Sequence, residues 1–150
     1  MAHTAIHALV EKCRAGVYAP CVARAASGWI VMGDPQVLQG YCMLIPDPVV
    51  SHLNALKPAA RAQFLADMAA LGDVLLALTG AVRINYAMLG NAEPALHAHL
   101  FPRFASEPEA QLRAHPWALN WQAAPAYSEA THGEFKRRVA AAVEQARPIA

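Results

Sequence analysis

Two histidines one residue apart, His97 and His99, are the strongest chemical signal in the sequence. They lie in the run Ala95-Leu96-His97-Ala98-His99-Leu100-Phe101, which predicts a β-strand. Residues two apart on a strand share a face, so Ala95, His97, His99 and Phe101 fall on one side. Leu96, Ala98 and Leu100 fall on the other, a wholly apolar face that belongs against helices. The first face carries two imidazoles roughly 7 Å apart at their Cα atoms. Burying both without partners is costly, so this face is expected to line a cleft.

The spacing alone admits three readings. The pair can be incidental on a half-exposed strand. It can ligate a metal, since His-x-His is a common ligand pair, although no nearby carboxylate or thiolate supplies an obvious third ligand. Or it can work on a phosphate. Neutral imidazole, with an ordinary pKa of about 6.5, is nucleophilic near pH 7. A neighbouring imidazole can then donate to a phosphate oxygen or a leaving group.

Such a pair needs a scaffold, and the flanking sequence supplies its parts. Thr4 can cap a first helix whose apolar residues Ile6, Leu9, Val10 and Cys13 recur at three and four, with Gly16 closing it. Trp29-Ile30-Val31-Met32 and Tyr41-Cys42-Met43-Leu44-Ile45 predict an antiparallel hairpin whose loop carries Asp34, Gln36 and Gln39. Pro58 and Gly80 bracket a long helix with Phe64, Met68, Leu71, Leu75 and Leu78 on one face. Residues 82–88 predict a further strand, followed by a Gly90-Asn91 turn. Residues 105–130 are rich in Pro and Ala, and read as an irregular arm pinned to the surface by Trp117, Trp121 and Tyr127. Thr131-His132-Gly133-Glu134 has a capping-box pattern and opens a last helix through Phe135, Val139, Val143 and Ala146. Its Lys136-Arg137-Arg138 cluster reads as a solvated side. Helix, two strands, long helix, two strands and tail make one α+β domain over residues 1–150, with an antiparallel sheet packed by the long and the C-terminal helices.

Composition narrows the function further. The chain has 150 residues, enough for one core and short for two, and a formal net charge of +1. That balance argues against non-specific nucleic-acid binding, which runs on clustered Lys and Arg. The hydrophobic content is 56%, but roughly 34 of these residues are alanine, which buries little area. No uninterrupted apolar run reaches the roughly 18–20 residues of a membrane span, and the first residues carry no basic-then-apolar leader. The expectation is a cytoplasmic domain without membrane contact. Cys13, Cys21 and Cys42, odd in number and irregular in spacing, predict free thiols rather than a disulfide framework.

The run Pro94-Ala95-Leu96-His97-Ala98-His99-Leu100-Phe101-Pro102-Arg103 resembles the signature strand of the histidine-triad (HIT) superfamily, His-φ-His-φ-His-φ-φ with φ hydrophobic, often followed by Pro-Arg. Upstream, Ile84-Asn85-Tyr86 and Leu89-Gly90-Asn91 are similar to the Asn-containing strand and turn of bacterial members. Gly33-Asp34-Pro35 with residues 40–46 resembles the family's nucleotide-binding hairpin. The resemblance covers about residues 28–104, half the chain, in family order. It implies a HIT-like fold, nucleotide binding, and hydrolysis or transfer of nucleotidyl groups at the α-phosphate. It further implies that His97 attacks phosphorus to form a nucleotidyl-histidine, and that His99 hydrogen-bonds the phosphate and assists the leaving group. Asn85, Gly90 and Asn91 would orient the phosphates, and Asp34 would hold the ribose hydroxyls after a one-residue gap. Relatives are usually homodimers without a cofactor.

Two departures stand out. Ala95 occupies the place of the first triad histidine, although a main-chain carbonyl there can still orient the nucleophile's ring. Val49 occupies a position where many relatives have another histidine. His52 lies further along, where a surface or helix-capping role is expected. Zinc-binding relatives use a close cysteine pair that Cys13 and Cys21 do not reproduce. Because Ala95 and Val49 thin the site, a nucleotide-binding module with little catalysis is the alternative reading. Arg103 can serve a phosphate or an ordinary ion pair, and Phe101 and Trp29 fit the core better than a base site.

Overall fold

The computed structural model describes residues 2–146. The elements, in chain order, are α1 (Ala5–Arg14), β1 (Cys21–Arg24), β2 (Gly28–Met32), β3 (Cys42–Pro46), α2 (Pro58–Thr79), β4 (Arg83–Ala87), β5 (Ala98–Arg103), α3 (Glu109–Leu112) and α4 (Glu129–Gln145). The strands form one antiparallel sheet in the order β1-β2-β3-β5-β4. This is the α+β architecture expected, with one strand more. β1 escapes sequence reading because its four residues are all half-buried, without alternation, and its pairing to β2 is interrupted by an irregularity after Cys21.

The sheet's two faces are different environments. Ile30, Met32, Cys42, Leu44, Ala98 and Leu100 make one face, packed with Phe64, Leu71 and Leu75 of α2 and Val139 of α4. α2 begins at Pro58, as a missing N–H allows, and ends where Gly80 takes φ +70°. By length and composition this helix is apolar enough to cross a membrane, with a mean hydropathy of 1.4 over 18 residues, although Arg61, Asp67 and Asp73 interrupt it. Its alanines raise that figure. In the fold its Phe64, Leu71 and Leu75 are buried, and its Asp67 accepts from the Ser27 backbone N–H and hydroxyl.

The opposite face carries Val31 and Ile45, then His99 and Phe101. At the β2–β3 end it is covered by Ile6, Val10 and Cys13 of α1. The arm covers the β5 end. α4 starts three residues before the expected point, because Ser128 rather than Thr131 caps it: the Ser128 hydroxyl accepts from the Thr131 N–H. Lys136 and Arg137 pair with Glu129 about two turns earlier, and Lys136 also reaches the Ala19 carbonyl.

Candidate active site

β5 begins at Ala98, not Ala95, because the three residues before it leave the ladder. There the Leu96 N–H bonds the Val50 carbonyl instead of a strand neighbour. His97 is nevertheless beside His99, their rings edge-to-face with centroids 4.7 Å apart. His97 is 9% exposed, and its Nδ1 lies 2.7 Å from the Ala95 carbonyl oxygen. A carbonyl can only accept, so Nδ1 carries the proton, and in the neutral ring the lone pair is on Nε2. This is the main-chain contact that an alanine can supply.

The Ala95 methyl is fully buried in the apolar cluster of Ile6, Val10, Cys13, Val31 and Ile45, and Val49 packs against the same cluster. Ala95 and Val49 thus share one greasy environment.

His99 is half-buried, opposite Met43 on β3 and Ala87 on β4. Burial, reinforced by the neighbouring His97, pushes its pKa down to about 4, so it is uncharged at neutral pH. Its Nδ1 lies 2.6 Å from the Tyr41 hydroxyl. Burial pushes the Tyr41 phenol up, so it keeps its proton. Phe101 stacks on both Tyr41 and His99, at 4.3 and 5.6 Å between centroids. From the arm, Trp117 meets His99 and Phe101 edge-on at 5.1 and 5.3 Å. Trp121 stands edge-on to Tyr41 at 5.9 Å. Trp117 and Trp121 therefore anchor the arm to the histidine face, while Tyr127 packs against the core on the opposite face.

A cavity of about 290 Å³ adjoins His97, lined also by Ser51, His52, Asn54, Gly90 and Ala95. His52 is exposed, as expected, and precedes a short 3₁₀ turn, Leu53–Ala55, without making a side-chain cap; from that surface position it borders this cavity. Gly90 holds φ +70°, a conformation open to glycine, and Asn91 is exposed on the same turn.

Asn85 and Asp34 lie elsewhere. Asn85 is on the histidine face, opposite Phe101, but its Oδ1 accepts from Arg103 at 2.7 Å. The exposed Asp34 carboxylate accepts the Tyr127 N–H of the arm at 2.8 Å. Neither lines the His97 cavity. Arg103 is buried in an ion pair with Glu107. Trp29 donates from Nε1 to Asp47 at 2.9 Å. Among the described residues no group of three or more His, Cys, Asp and Glu gathers as a metal site. A larger groove of about 1120 Å³ runs between β4 and the arm, lined by Asn85, Phe101, Arg103 and Trp117 but by neither histidine. The polar pair, rather than this groove, marks the candidate site.

No family model and no curated protein sequence matches the chain. Solved structures do. A histidine triad protein from Marinobacter aquaeolei VT8 aligns with a TM-score of 0.76 at 19% identity, over 97% of this chain and 100% of that one. A histidine triad protein from Bradyrhizobium japonicum aligns with a TM-score of 0.73 at 17% identity, over 82% and 89%. A hypothetical histidine triad nucleotide-binding protein from Sulfolobus tokodaii strain7 aligns with a TM-score of 0.71 at 10% identity, over 92% of each chain. At such identities the likeness concerns the fold, and on that ground the chain has the fold of the histidine-triad proteins.

Proposed function

We propose that this protein is a nucleotide-binding hydrolase or nucleotidyl transferase acting at the α-phosphate of a dinucleoside polyphosphate or nucleotide conjugate. The observation that carries this reading is the 2.7 Å contact between His97 Nδ1 and the Ala95 carbonyl. It leaves Nε2 as the nucleophilic nitrogen of a ring lining a cavity beside a glycine turn. In the first step Nε2 bonds to the α-phosphorus, and the bond from phosphorus to the leaving group breaks with its electron pair departing on that group. The Nδ1–H stays on the Ala95 carbonyl and spreads the positive charge that the ring acquires. Water, or an acceptor alcohol or phosphate, then attacks phosphorus, and the P–N electron pair returns to Nε2. His99 hydrogen-bonds the phosphate while this charge develops. The Gly90-Asn91 turn orients the phosphates, with Asn85 and Asp34 as further nucleotide contacts. A ribose reaching Asp34 has to displace the Tyr127 N–H. No cofactor enters the scheme.

The same reading includes a homodimer. Val82, Tyr86, Leu89, Leu112 and Trp117 are exposed apolar side chains gathered around the groove beside β4, a strand with one free edge. Sedimentation velocity tests that part.

His97→Gly tests the mechanism on a panel of dinucleoside polyphosphates and nucleotide phosphoramidates. Loss of turnover by at least ~10³-fold is expected for removal of a nucleophile. A variant as active as the wild type would end the proposal. AMP or GMP binding without wild-type turnover across the panel would mark a binding module instead.

A further inference from the structure

We infer that Tyr41 is a positioning residue for His99: its phenolic O–H donates to Nδ1, which places the His99 proton on Nε2 and sets the two adjacent histidines in opposite tautomers. The tautomers follow from geometry alone, while their catalytic consequence rests on the nucleotidyl-transfer reading.

Tyr41 is 3% exposed, and its ring is held on two sides. Phe101 stacks on it, and a Cβ at Gly33 would fall 1.9 Å from a ring carbon, so only glycine leaves the ring its place. The hydroxyl therefore cannot swing away, and it meets His99 Nδ1 at 2.6 Å. Two arrangements fit that distance. If Nδ1 donated, the phenolic hydrogen would be buried with no acceptor, since among the described residues the hydroxyl makes no other hydrogen bond. If the phenol donates, both groups are satisfied by one bond. The second arrangement leaves His99 with Nε2–H.

The consequence is a division of labour. His97 has its proton on Nδ1, against a carbonyl, and offers an Nε2 lone pair. His99 has its lone pair on Nδ1, against a phenol, and offers an Nε2–H. A lone pair is what attack on phosphorus needs, and an N–H is what a phosphoryl oxygen needs as it gains charge. The same contact makes His99 a hydrogen-bond donor rather than a proton donor. Surrendering the Nε2 proton would draw the phenolic proton onto Nδ1 and leave a buried phenolate, which burial disfavours. The leaving group then takes its proton from water.

Nitrogen-15 NMR of the imidazoles in the intact wild-type protein reads the tautomers directly, with no substrate. The expected spectrum shows a bare Nδ1 and a protonated Nε2 for His99, and the reverse for His97. A protonated Nδ1 on His99 overturns the inference. Tyr41→Phe keeps the ring between Gly33 and Phe101 while removing the hydroxyl. Its expected signature is a shift of the His99 Nδ1 resonance, with KM unchanged and kcat down about ten-fold, less than the roughly hundred-fold loss on deleting a stabilising donor. An unmoved Nδ1 resonance, or an unchanged kcat in an enzyme that does turn over, also overturns it. If the wild type turns over nothing, the nucleotidyl reading fails, and the spectrum still decides the role of Tyr41.

Discussion

Replacing Arg103 should separate the arm from the sheet before the sheet itself unfolds. All five of its N–H groups are used: Nε and one Nη2 hydrogen on the Glu107 carboxylate, the other Nη2 hydrogen on the Gln111 carbonyl, and the Nη1 pair on Asn85 Oδ1 and the Ala114 carbonyl. The Arg103 and Glu107 side chains are only 8% and 6% exposed. Arg103→Ala leaves that carboxylate buried with the Phe104 N–H as its remaining partner, and takes the donor from the Ala114 carbonyl and the Asn85 amide oxygen, while the Gln111 carbonyl keeps the Ala114 N–H. Breaking a buried pair on one side costs about 3–5 kcal/mol. That is a large share of the roughly 5–15 kcal/mol that holds a domain together. The chain can limit the loss by letting the arm go, since these bonds join β5 and β4 to residues 107–114. Two of the three tryptophans, Trp117 and Trp121, sit in that arm, so their fluorescence reports its release while far-UV circular dichroism reports the sheet and long helices. In urea, the variant's fluorescence transition should precede its dichroism transition. Arg103→Lys should fall between, keeping the charge and losing the fork. Coincident transitions, with stability lowered by less than ~1 kcal/mol, would refute the assignment of Arg103 as the clasp.

Two other expectations concern the histidine face. Ala95→His, which makes a His-x-His-x-His run, should destabilise by about 1–3 kcal/mol or more, because the new ring must enter a filled apolar cluster; a raised Tm would refute this. Stability should also fall as the solution is acidified from pH 6.5 towards 4. The folded-state pKa of His99 is lowered to about 4, below its ordinary value, so the unfolded chain binds the extra proton across that window. The contribution is complete above pH 6.5 and has an upper bound of about 3 kcal/mol, reduced by the ring's partial solvent access. Urea titrations from pH 4 to 7 should show a shallower slope for His99→Gln than for the wild type, and equal slopes would remove His99 as the source.

What could be read from the sequence was whatever depends on local period. The alternation of Leu96, Ala98 and Leu100 with His97, His99 and Phe101 separates the two faces of β5, and Pro58 and Gly80 mark the ends of α2, because both patterns reflect geometry within one element. Boundaries were harder where two signals compete. Ser128 and Thr131 can each cap α4, and the Ser128 hydroxyl does so. The site's surroundings were not legible, because they are made between elements. Tyr41 and His99 are 58 residues apart and meet only because β3 lies next to β5, an adjacency that follows from strand order rather than from either strand. With Cys42 paired to Leu100, the residue before Cys42 falls next to Phe101, so a correct pairing would have nominated Tyr41. The places of Trp117 and Trp121 over this face depend in turn on the Arg103 clasp, whose partners in the arm lie in irregular chain.

The peptide oxygen of residue 95 holds His97, while the side chain of the same residue fills the core. Any amino acid presents that oxygen, so the chemistry places no demand on which side chain stands there. Position 95 is therefore free to answer to packing alone, while its backbone goes on aiming the neighbouring ring.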